Sequence, residues 1–252
     1  MMRFLKQHAK ALVFFAVVGL IGGYFVGLYA MDSYPAEIQQ EILAQGIVRN
    51  MLGLVSAVQS AGYGLVLGAL GIWFAQKIGL WKGETHMERK PFVSALVVGA
   101  AGGLVMILSD LLVFSRYSQV IADSYLVKPT AVFILASVMY GAVIEEVMLR
   151  LFMMSLIAYV LQKLFGKGKR EIAAWILVLA NVLSALLFAA GHLPATAAMM
   201  GLTPMILFRC FLLNGGIGLL LGRLYRKYGL RYAMIAHGGC HVVSKLIWIL
   251  FV

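Results

Sequence analysis

Nine ionisable side chains lie inside long apolar runs of this sequence: Asp110, Glu145, Glu146, Arg150, His192, Arg209, His237, His241 and Lys245. Carboxylates and imidazoles are the side chains that most often accept and deliver protons in catalysis. The run Ile144-Glu145-Glu146-Val147-Met148-Leu149-Arg150 holds two carboxylates and one guanidinium. On an α-helix Glu146 and Arg150 sit four apart, with the acid on the N-terminal side, which is the favourable order for an ion pair. Glu145 lies about 140° around the same axis from Arg150. Arg150 can therefore neutralise Glu146 while Glu145 points elsewhere. Two carboxylates in different environments can divide the roles of base and structural anion. A buried ion-pair network that only holds helices together is the competing reading of these residues.

A second constellation is Asn181, Ser184, Phe188 and His192, spaced by three, four and four residues and so on one helical face. This face is polar in an otherwise apolar run. It should look at other helices or a wet cavity. A third is His237-Gly238-Gly239-Cys240-His241. Two histidines four apart project from one side of a helix, which is also metal-ligand spacing. Ser244 continues that side, and the glycines permit close approach of another backbone.

These residues need elements to hold them, and the composition says which. Of 252 residues, 62% are hydrophobic and 12% charged, with a mean hydropathy of +0.93. Soluble domains carry about 25% charged residues. The chain is expected to be all-α, a polytopic transmembrane helix bundle forming a single membrane domain over 1–252. Seven segments reach the roughly 20 residues that a span requires: 11–31, 51–75, 92–114, 130–160, 172–192, 204–222 and 232–252. An eighth could arise only by splitting a long run. The basic N-terminus followed by an apolar stretch imitates a signal peptide, but at 21 residues the stretch exceeds a typical signal core of about 7–15 and reads as a retained first span.

The net charge of +11 does not imply nucleic acid. No basic face with interleaved aromatics occurs, and the cations sit in short loops. The N-terminus holds Arg3, Lys6 and Lys10, the first loop Arg49, and the second Lys77, Lys82, Arg89 and Lys90. The third holds Arg116 and Lys128, and the fourth Lys163, Lys167, Lys169 and Arg170. The fifth has none, and the sixth has Arg223, Arg226, Lys227 and Arg231. This alternation places the N-terminus in the cytoplasm and the C-terminus outside.

Glycines at helical spacing (Gly19, Gly23 and Gly27; Gly64 and Gly68; Gly99 and Gly103) read as helix-packing faces. Cys210 and Cys240 read as small apolar packing residues. Of the nine ionisable residues only Asp110 precedes residue 130, so 1–129 reads as scaffold and 130–252 as the functional core.

The three constellations together resemble the CPBP intramembrane proteases, the CAAX-protease and bacteriocin-processing or Abi family. That family carries Glu-Glu-x-x-x-Arg, Phe-x-x-x-His and His-x-x-x-Asn motifs. Here they stand as Glu145-Glu146 to Arg150, Phe188 to His192, and His237 to His241. The stretch from Gly218 to Tyr225 and on to Ala236-His237-Gly238 is also similar, and the likeness covers about 130–252. The chain departs from the pattern in one place, with His241 where Asn is usual.

The resemblance implies an endopeptidase acting on a membrane-associated or lipidated peptide or protein in the bacterial cytoplasmic membrane. In it Glu145 and His192 activate water, and His237 with His241 stabilises the oxyanion. Glu146 is counted with these catalytic residues and, with Arg150, fixes its helix; Arg150, Phe188 and Asn181 support the site. A site without metal is expected. A zinc site on His192, His237 and His241 is the alternative that the imidazole count raises. An ion- or proton-coupled transporter and a non-catalytic bacteriocin-immunity or scaffold protein are the competing functions. A tension of depth accompanies this expectation. His192 lies about 30 Å along its span, whereas His237 lies about 9 Å beyond Arg231. Closing the gap requires tilting, a surface segment around 167–175, or a last helix that starts deep.

Overall fold

The computed structural model describes residues 2–83, 87–166 and 171–252. Lys167, Lys169 and Arg170 of the fourth loop lie outside the described residues. Among those described there is no strand, and seven helices are long and apolar enough to cross a membrane. They are α1 (Met2–Ser33), α2 (Arg49–Lys77), α3 (Arg89–Arg116), α4 (Ala131–Phe165), α5 (Ala174–Met200), α6 (Pro204–Tyr228) and α7 (Leu230–Phe251). Each contains one of the seven apolar segments expected from the sequence, or nearly all of it. A helix can do this in lipid because it satisfies its own backbone groups.

Small residues set the packing. Gly19, Gly23 and Gly27 of α1 lie against the backbone or side chains of Ser60, Ser56 and Gly53 of α2. Gly64 approaches the Phe15 carbonyl from the other side. Gly99 and Gly103 of α3 lie on Ala236, Gly239 and Cys240 of α7. A Cβ at these positions would meet backbone atoms, so the close approach depends on glycine. Both cysteines are buried free thiols. The main apolar core lies between these helices and includes Phe15, Ile72, Val147, Leu151, Met154, Ile176 and Leu221.

The chain is not wound uniformly. Ala136–Glu145 and Val147–Met154 of α4 are π-helical, with shorter π stretches at Tyr63–Leu67 and Phe211–Gly215. The angle of 140° expected between Glu145 and Arg150 assumed α geometry, and i→i+5 winding replaces it. Such stretches are infrequent and concentrate at functional sites.

The tension of depth is resolved by the turn between α6 and α7. The hydroxyls of Ser155 and Tyr225 meet at 2.8 Å, which fixes α4 against α6. From Ser155, α4 continues to Phe165, about 15 Å further. From Tyr225 the chain reaches the turn at Gly229 after about 6 Å. The turn therefore lies roughly 9 Å short of the end of α4, and α7 starts set back from that end. Lys82 donates to the Lys227 carbonyl and so caps the end of α6 at this inset turn. Trp175 sits in the first turn of α5, half-exposed beside Phe165.

At the opposite end Asp110 and Arg209 explain each other. Arg209 donates from Nε and Nη2 to the two carboxylate oxygens at 2.6 and 2.5 Å. Tyr125 adds a third bond at 2.8 Å. Burial, followed by the Asp110 charge, pushes the Tyr125 phenol well above its ordinary range, so it stays a donor. This bidentate pair ties α3 to α6.

Candidate active site

The Glu146 carboxylate is fully buried and faces Arg150 one turn along α4, with Nη1 to Oε1 at 3.0 Å. The same Oε1 accepts from His237 Nδ1 at 2.8 Å. The Arg150 guanidinium lies 4.5 Å over the Phe188 ring, a cation–π contact inside the bundle. Glu146 and Arg150 therefore hold α4 to α7 and α5.

Glu145 turns the other way along the axis. Its Oε1 is 3.9 Å from His192 Nε2, and its Oε2 is 3.8 Å from His237 Nε2. Both distances exceed a direct hydrogen bond of about 2.7–3.2 Å. The carboxylate is thus near two imidazoles without being locked to either. The two acids are less segregated than expected, since His237 stands between them with one ring nitrogen toward each.

The Phe188 to His192 spacing has a physical reason. At the end of the first segment of α5 the last carbonyls lose their helical partners. The His192 backbone N–H bonds Ala189 instead, and the Phe188 carbonyl receives His192 Nδ1 at 2.8 Å. Pro194, which lacks an N–H, follows after Leu193 and interrupts the helix ladder. Because a carbonyl only accepts, His192 Nδ1 carries a proton, and in the neutral ring Nε2 faces Glu145 with its lone pair. The same argument holds for His237, whose Nδ1 donates to Glu146. Phe188 also places its ring edge-on to both, with centroids 4.7 Å from His192 and 5.9 Å from His237.

His241 stacks on His237 with ring centroids 5.0 Å apart. Gly141 makes room for it. A Cβ at Gly141 would stand 2.9 Å from His241 Nε2 and 3.8 Å from Glu145 Oε2. Sequence reasoning missed Gly141, although it lies one turn before Glu145. Accessibility falls across the site, from 34% for the His192 side chain to 19% for Glu145 and 6% for His237. The site opens on the His192 side.

Two sequence candidates stand outside this centre. Asn181 donates to the Leu219 carbonyl at 3.0 Å, with Gly222 against its amide oxygen, so it pins α5 to α6. Ser184 donates to the Leu149 carbonyl at 2.7 Å and pins α5 to α4. The polar face of α5 looks at neighbouring helices, as expected, but only Phe188 and His192 on it reach the centre. Ser244 bonds the His241 carbonyl and adds nothing to the site. Lys245, flagged only as an ionisable residue in a span, lies beside His241 with Nζ 3.4 Å from Nδ1. A cavity of about 270 Å³ at the α6–α7 turn, lined in part by Lys10, Trp81 and Tyr228, is separate from the carboxylates.

Among the described residues no group of three His, Cys, Asp or Glu side chains is placed closely enough to hold a metal ion.

Comparison with known proteins adds one finding to this geometry. Residues 127–243 match the model of a family described as type II CAAX prenyl endopeptidase Rce1-like. No curated protein and no solved structure matches the chain. The matched segment takes in Glu145, Glu146, Arg150, Phe188, His192, His237 and His241. Residues 127–243 of this seven-helix membrane protein are therefore similar to the Rce1-like, CPBP-type intramembrane protease family.

Proposed function

We propose that this protein hydrolyses a peptide bond of a membrane-associated or lipidated peptide, with Glu145 as general base and His192 as its partner. The observation that carries the reading is the meeting of the Glu145 carboxylate with His192 Nε2 at 3.9 Å and His237 Nε2 at 3.8 Å, from three separate helices. A water held between them gives one proton to Glu145, while its other proton is oriented by the His192 lone pair. The water oxygen bonds the scissile carbonyl carbon, and negative charge moves to the carbonyl oxygen. His241, with His237 stacked on it, faces that oxygen as a donor. The C–N bond then breaks, and Glu145 returns its proton to the leaving amine. Glu146 and Arg150 hold His237 and take no proton. The functional core is 130–252, with 1–129 as its support, and the site is a bacterial plasma-membrane one.

Water activation here is by carboxylate and imidazole alone, without a resident metal. Zinc content of the purified protein and cleavage with and without chelator test it. Stoichiometric zinc removed together with activity overturns it.

The family description points to prenylated CAAX peptides as the first substrates to try. The test is the full chain in liposomes, supplied with prenylated and unlipidated peptides in H₂¹⁸O. A new peptide carboxyl terminus carrying one ¹⁸O, formed from the prenylated peptide, supports the proposal. Intact peptides accompanied by protein-dependent ion flux point to a transporter, and intact peptides without flux to a non-catalytic member of the family.

A further inference from the structure

Lys245 is the basic residue beside the centre that the proposed chemistry leaves without a role. It lies on α7, one turn beyond His241, and is 5% exposed. Among the described residues no carboxylate lies within ion-pair distance of it. Its Nζ is 3.4 Å from His241 Nδ1 and 4.2 Å over the Phe133 ring of α4. A cation inside a membrane bundle is costly and is a functional candidate by default. The aromatic face offsets part of that cost.

With Lys245 as an ammonium, the chemistry of the contact allows one arrangement. An ammonium group donates three hydrogen bonds and accepts none, while a neutral imidazole has one donor and one acceptor nitrogen. Lys245 can bond His241 Nδ1 only if Nδ1 is the acceptor. The His241 proton then sits on Nε2, and Nε2 is the ring atom that faces Gly141 on the side of Glu145. His192 and His237 are held in the opposite tautomer by an acceptor at Nδ1. The three imidazoles are thus of two kinds. Two present a lone pair to the centre, and one presents an N–H.

We propose that Lys245 is a positioning residue that fixes the tautomer of His241, so that Nε2–H points at the oxyanion. This rests on the proposed role of His241 as oxyanion donor. An asparagine amide always carries its donor, whereas an imidazole must be told which nitrogen to protonate. Lys245 supplies that instruction where this chain has His in place of Asn. It also bars His241 Nε2 from ligating a metal, because a ligating Nε2 would put the proton on Nδ1, facing a group that cannot accept it.

The test uses the full chain in nanodiscs with ring-¹⁵N histidine. The His241 resonances are assigned by their loss in His241→Asn. The expected spectrum shows His241 protonated at Nε2 and bare at Nδ1, and Lys245→Met brings in the Nδ1–H form. In kinetics Lys245→Met lowers kcat at least about tenfold with KM changed less than about twofold, and Lys245→Arg restores most of it. In the His241→Asn background the same Lys245→Met change costs less than about threefold. An Nδ1–H tautomer in the parent protein overturns the proposal, as does an equal cost of Lys245→Met with His or Asn at 241. The spectrum needs no turnover, so it decides even where a variant is inactive. Full activity in Glu145→Gln would remove the proposed hydrolytic mechanism while leaving the tautomer result to stand on its own.

Discussion

Glu145 and Glu146 are neighbours in sequence with opposite surroundings. Glu146 is enclosed, shared between Arg150 and His237. Glu145 is partly accessible and lies beyond direct bonding distance from His192 and His237. The difference predicts different costs of neutralisation. Glu146→Gln leaves Arg150 buried without its counter-charge, and removing one partner of a buried pair costs about 3–5 kcal/mol. Unfolding of Glu146→Gln in mild detergent should therefore shift far below that of the parent, while Glu145→Gln unfolds near the parent value. Equal unfolding of the two variants would contradict the structural role of Glu146. The sequence showed the Glu146–Arg150 pairing directly, because i,i+4 spacing lies on one helix. It did not show that His237 bridges the two acids, because that contact joins residues 91 apart in the chain. Gly141 was legible only as a small residue, since its meaning depends on which ring comes to rest against it.

The helices carry information of another kind. All seven spans were readable from apolar length alone, and the glycine faces of α1, α2 and α3 were readable as packing surfaces. The π winding of α4 was not, because a shift from i→i+4 to i→i+5 leaves no signature in residue type. Nor was the pairing of Asp110 with Arg209. Each stood out as an ion within a span, but only the packing of α3 on α6 shows that they neutralise one another. The α5–α6 contact gives a direct check on packing. A Cβ at Gly222 would overlap the Asn181 amide oxygen, so Gly222→Ala should cost about 1–3 kcal/mol through overpacking. Shortening the partner by Asn181→Ala loses one hydrogen bond, about 1 kcal/mol, but makes room for the methyl. The double variant should be more stable than the sum of the two costs. Strict additivity in thermal unfolding would show that the two side chains do not meet.

Across the whole chain, the tension of depth between His192 and His237 disappears because the α6–α7 turn is inset, which the sequence offered only as one of several options. Hydropathy fixes the length of a span and leaves its depth to its neighbours. Here the Ser155–Tyr225 contact sets that depth. Orientation rests on the loop charges. With the N-terminus in the cytoplasm, the α2–α3 connection lies inside and the end of α5 lies outside. Reporter fusions at Gly83 and Ala197 should report the inside and the outside respectively, and the same side for both would contradict the topology.

All of these features converge on the claim that one carboxylate, delivered by α4 between imidazoles from α5 and α7, activates water inside the membrane. Single-turnover cleavage by Glu145→Gln in liposomes tests it most directly. General-base catalysis contributes about 10²–10⁴ in rate. The glutamine variant keeps the shape of the site and loses the base, so the cleavage rate should fall by at least about a hundredfold, with substrate binding little changed. Cleavage by Glu145→Gln at the parent rate would contradict the account.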